Sequence, residues 1–135
     1  MKATTKLFMM LLVVAGMLTF ISCKKDPQIV GKWKCTNDVM IEGDQQLADS
    51  PSIGQIWEFK GNGELFKEGE ERVYAYFVEG KNLTITDTVP LPNGTQLFSQ
   101  TAIIQILTET QLSLSFEYQG ANETIVPRNM DFERL

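Results

Sequence analysis

No histidine occurs in this 135-residue chain, which removes the commonest general base, His-activated nucleophiles and imidazole metal ligands together. Cysteine is nearly as scarce. Cys23 and Cys35 are the only two, too few for a CxxC zinc knuckle or a disulfide ladder. No window of ten or more residues keeps a 3.6-residue apolar stripe, so amphipathic helices are not expected. Basic residues nowhere cluster, and nucleic acid is not an expected partner. What is present is ordinary for one globular domain: 43% hydrophobic, 10% aromatic and 21% charged residues, a composition that excludes disordered and collagenous chains.

Lys2 and Lys6 precede an apolar run from Leu7 to Phe20, followed by Ile21, Ser22 and Cys23. A basic end, a short apolar run and a small residue at a processing point read as a signal peptide. The run is short of a roughly 30 Å hydrocarbon core, so a permanent span is not favoured. Ser22-Cys23 at its end resembles the lipobox of bacterial lipoproteins. That resemblance implies diacylglycerol on the Cys23 sulfur, with palmitate among the attached chains, and a new N-terminus there. Residues 1–22 are then the signal peptide, 23–28 a lipidated tether and 29–135 the folded domain. Lys24 stands where a retained inner-membrane lipoprotein would carry aspartate, which points to the outer membrane and leaves periplasmic and surface faces open. From residue 23 onward the chain carries 10 basic and 17 acidic side chains, a field that repels nucleic acid and anionic headgroups.

Period-two alternation dominates from Ile29. Trp33 and Cys35 share one face while Lys32, Lys34 and Thr36 share the other, the pattern of a half-buried antiparallel strand. Glu42 to Ser52 interrupts it as a long loop. Further strands follow over residues 55–60, 64–67, 72–79, 83–89, 95–107, 111–118 and 123–134, with turns at Gly61-Asn62-Gly63 and Gly80-Lys81-Asn82, and with Pro90 and Pro92 ending the 83–89 strand. Pro127 marks a bulge or an edge in the last of them. Eight antiparallel strands joined mainly by hairpins hide their edges best as a closed up-and-down barrel, with a sandwich as the alternative.

Gly31-Lys32-Trp33, the segment Trp57 to Gly63, the segment Tyr76 to Leu83, Leu107 to Leu114 and the terminal Phe132-Glu133-Arg134 together resemble the short lipocalin-like domains of Bacteroidetes-type lipoproteins. The resemblance implies a barrel closed at one end by Trp33 against a cation of the final strand, with Arg134 matching that role and Arg128 as the other candidate. An eight-stranded barrel is just wide enough to be filled by side chains or to hold one small apolar ligand. Facing places Trp57, Phe59, Tyr76, Phe116 and Tyr118 in the interior, as lining of a pocket or as filling of the core.

Asp38, Glu42, Asp44 and Asp49 miss the spacing of a calcium loop and read as a solvated acidic stretch. Asp87 is the one carboxylate expected on an inward face, and Cys35 reads as a buried, inert thiol. No cofactor, metal or catalytic group is expected, and the chain reads as non-enzymatic. Two functions follow: a lipid-anchored carrier of a small hydrophobic ligand, or a packed barrel that binds another envelope protein. In either, the Met40 to Ile53 stretch would sit at the open end as a lid.

Overall fold

A computed structural model describes residues 28–42, 45–47, 52–119 and 125–135. The expected signal peptide, Cys23 and much of the expected lid lie outside these residues. Nine strands make up the described chain: β1 Gly31–Glu42, β2 Gln45–Leu47, β3 Ile56–Phe59, β4 Glu64–Lys67, β5 Val73–Glu79, β6 Asn82–Leu91, β7 Gly94–Leu107, β8 Gln111–Gln119 and β9 Ile125–Arg134. Each pairs antiparallel with its neighbour, and β1 pairs with both β3 and β9. The ribbon therefore closes on itself as an eight-stranded up-and-down barrel, which removes the two free edges that an open sheet would expose. The sandwich alternative falls with that closure.

The ninth strand is a correction to the expected loop over Glu42–Ser52. β1 runs on to Glu42, and β2 pairs with its end through Met40–Leu47, Ile41–Gln46 and Glu42–Gln45. Those three pairs are short-range, and no alternation over three residues could have announced them.

Barrel interior and polarity follow the pleat. Trp33, Trp57, Phe59, Leu65, Leu83, Ile85, Ala102, Ile104, Leu112, Leu114, Phe116, Met130 and Phe132 are all buried, and they alternate with outward polar residues along each strand. Among the described residues two bulges break the period. One lies between Cys35 and Asn37, the other between Ile104 and Ile106. An extra residue reverses the facing of everything after it. Cys35 and Asp38, three apart, are consequently both buried.

The two ends differ. At the base lie Gln28 to Val30, the turns at Gly61–Gly63, Gly80–Lys81 and Thr108–Thr110, and the C-terminus; at the mouth lie Ser52–Gln55, Glu68–Arg72 and Pro92–Asn93. Beyond the mouth the β6–β7 pairing continues to Leu91–Gly94, a second departure from expectation, because β6 passes straight through Pro90. The last β5–β6 pair is Ala75–Thr86. Among the described residues, Pro90 thus stands where β6 has no neighbour on that side, and its missing N–H leaves the barrel ladder intact. Pro127 is similarly placed, one residue past the last β1–β9 pair, Met40–Arg128.

Candidate functional site

The base is held by a latch. Trp33 is wholly buried and its indole Nε1 donates to the Ile29 carbonyl at 2.6 Å, which pulls Ile29 into the barrel end. The Arg134 guanidinium lies 4.3 Å from the Trp33 ring and donates to the Val30 carbonyl at 3.0 Å and the Gln28 carbonyl at 2.6 Å. Register decides which arginine does this: Trp33 faces Arg134 directly across β1–β9. Gly31 completes the fit. Its φ is +137°, and a Cβ there would stand 2.9 Å from Arg134 Nη1, so only glycine lets the guanidinium cross the backbone.

Beside the latch the barrel is not sealed. A groove of about 800 Å³, open on one side, runs between the Gln28–Val30 segment and the inner faces of β5 and β7. Ile29, Val30, Tyr76, Val78, Ile104 and Leu107 give it apolar walls, with Gln28, Lys81 and Gln105 at polar positions. The Tyr76 hydroxyl is fixed by donation to the Lys60 carbonyl at 2.7 Å, and burial raises its pKa. Volume and lining match a small-molecule site, which is concave, mostly apolar and sparsely polar.

Of the five residues expected to line a pocket together, Tyr76 alone borders this groove. Trp57, Phe59 and Phe116 are 4%, 1% and 1% exposed. Trp57 packs against Phe132 at 4.9 Å between centroids and Phe59 meets Tyr76 edge-on at 5.0 Å. These rings fill the middle of the barrel rather than bound a space in it. Tyr118 packs against Phe116 at 6.4 Å between centroids on the mouth side of this cluster, where its hydroxyl accepts from Arg128.

The mouth layer is charged. Asp38, expected in a solvated acidic stretch, is instead turned inward by the β1 bulge and is 4% exposed. Arg128 binds it in a fork, Nε to Oδ1 at 2.7 Å and Nη2 to Oδ2 at 2.6 Å, and also donates to Ser52 at 3.1 Å. Hydrogen bonding to Asp38 raises the Arg128 pKa. Lys67 points inward from β4, its ammonium 4.4 Å from the ring centroids of both Trp57 and Tyr74. Burial lowers its pKa. Tyr74 donates to Glu70, and burial together with that carboxylate pushes the phenol up to about 12. Asp87, the carboxylate expected to face inward, accepts from Arg72 at 2.8 Å at the mouth rim. The Asp38–Arg128 fork and the Lys67 cation escaped sequence reasoning. Lys67 shares a face with Leu65, a signal that alternation did contain.

Cys35 is buried, and its thiol donates to the Asn37 carbonyl. Burial, with Asp38 nearby, pushes its pKa up to about 11. Among the described residues no cluster of three or more Cys, Asp or Glu could hold a metal ion, and no helix is long and apolar enough to cross a membrane. Compared with known protein families, curated proteins and solved structures, the chain matches none.

Proposed function

We propose that this chain is a lipid-anchored, lipocalin-like barrel of the cell envelope, non-enzymatic, that holds a small apolar molecule in the groove at its base. The groove itself carries the reading: about 800 Å³ walled by Ile29, Val30, Tyr76, Val78, Ile104 and Leu107, within the size range of ligand pockets. Its position supports the same reading. Gln28, on the groove, is five residues from Cys23, at most about 17–18 Å of extended chain. If Cys23 carries acyl chains, the groove opens close to the bilayer, where an apolar ligand is most concentrated.

Val78 is a groove-wall residue on the rim, exposed enough to accept a charge. Titration with the apolar fluorophore N-phenyl-1-naphthylamine should give saturable enhancement with wild type. Val78→Glu should weaken it at least about tenfold, because the ligand would then have to desolvate a carboxylate. No enhancement, or equal enhancement in both proteins, overturns the reading. The anchor has its own test: labelled palmitate should enter wild type in cells, and Cys23→Ala should abolish it.

A second reading, an accessory subunit that binds another envelope protein, draws on the packed rings Trp57, Phe59 and Phe116. The same titration separates the two, since a barrel packed throughout binds no fluorophore.

A further inference from the structure

The β6–β7 hairpin is longer than the barrel that holds it. Five pairs, from Asp87–Phe98 to Leu91–Gly94, lie past the end of the β5–β6 ladder. On the other side the β7–β8 ladder stops at Ala102–Phe116. Among the described residues, Gly94 to Thr101 of β7 therefore form a ribbon edge with no strand beside it. Leu91, Leu97 and Phe98 on this ribbon are 48%, 65% and 52% exposed. A two-stranded ribbon in water is marginal by itself, and natural edges are usually blunted by charge, proline or a bulge. The β6 edge has Pro90. The β7 edge has none of these, its bulge lying further on, at Gln105.

We propose that this edge is an interaction surface for a second copy of the chain, the two β7 edges pairing antiparallel across a twofold axis. Charge permits this partner only here. The chain carries a net charge of −5, so two copies repel over most of their surfaces. From Thr88 to Thr108 no side chain is charged, and Asp87 at the start of the ribbon is already paired with Arg72. Two copies can therefore meet here without opposing like charges. The sequence is also self-complementary under a twofold. With Phe98 facing its counterpart, Leu97 faces Ser99, Gln96 faces Gln100 and Thr95 faces Thr101, so apolar and neutral hydrogen-bonding groups alone come together. The tip points away from the base, so this contact leaves the groove open.

Seven paired residues span roughly 24 Å, and one strand edge of that length buries less than the roughly 1,200 Å² of a standard interface. The dimer is accordingly weak and concentration-dependent. Sedimentation of the full chain in density-matched detergent, between about 1 and 500 µM, covers the range expected of so small an interface. Wild type should move from monomer toward dimer mass. Leu97→Lys and Thr95→Lys, both outside the barrel, should stay monomeric with unchanged near-ultraviolet circular dichroism, while Gln111→Lys at the base should dimerise as wild type does. A wild type that stays monomeric throughout, or lysine variants that dimerise equally, overturns the proposal. None of these outcomes depends on whether the groove binds a ligand.

Discussion

Arg134→Met tests how the base is held. The substitution keeps most of the side-chain length and removes the charge and both backbone contacts. The guanidinium over Trp33 contributes about 1 kcal/mol. Its bonds to the Val30 and Gln28 carbonyls would contribute about 1.5–3 kcal/mol each if fully buried. Arg134 is only partly buried and its Nε–H finds no acceptor in the described structure, both of which reduce the total. A net loss of about 2–3 kcal/mol is expected, a fall of about 10 °C in melting midpoint for a domain of this size. Arg134→Lys should fall between, because a lysine keeps the charge without the planar fork. Thermal unfolding followed by circular dichroism reads the effect. Because Gln28 to Val30 form one wall of the groove, fluorophore affinity should fall alongside. A midpoint within about 2 °C of wild type would refute the latch as a source of stability.

Gly31→Ala should destabilise by about 1–3 kcal/mol in urea denaturation, since alanine must adopt φ +137° with its Cβ against the guanidinium. Arg128→Met should cost about 3–5 kcal/mol by leaving the buried Asp38 carboxylate without its guanidinium, and the double variant Asp38→Leu/Arg128→Met should recover most of that. With its pKa raised from 9.0 to about 11, Cys35 stays protonated near neutrality and should resist Ellman's reagent until the protein unfolds. Because that raised pKa lies above the unfolded value, the stabilisation is complete below pH 9 and is lost as pH rises toward 11; Cys35→Ala should make that decline shallower.

Alternation made the barrel legible because most strands here are half-buried: Trp57 with Phe59, and Leu112 through Tyr118, mark the inner face unambiguously. Closure was inferable because edges carry a cost. Bulges were not inferable. One extra residue before Asn37 turned Asp38 from an expected surface acid into the buried partner of the partly exposed Arg128. Choosing Arg134 over Arg128 for Trp33 required the β1–β9 register, a contact between opposite ends of the domain. Inward facing was read correctly for Trp57, Phe59 and Phe116, but facing alone does not separate a residue that fills a barrel from one that lines a space. That distinction rests on where Gln28 to Val30 lie, which the latch sets.

Amide chemical-shift mapping of isotopically labelled protein with N-phenyl-1-naphthylamine locates any bound ligand residue by residue. Saturable shifts are expected at Val30, Val78, Lys81 and Gln105 around the base groove. Shifts confined to Asp38, Lys67 and Tyr118 at the mouth, or none at saturating fluorophore, would rule out a ligand in the base groove.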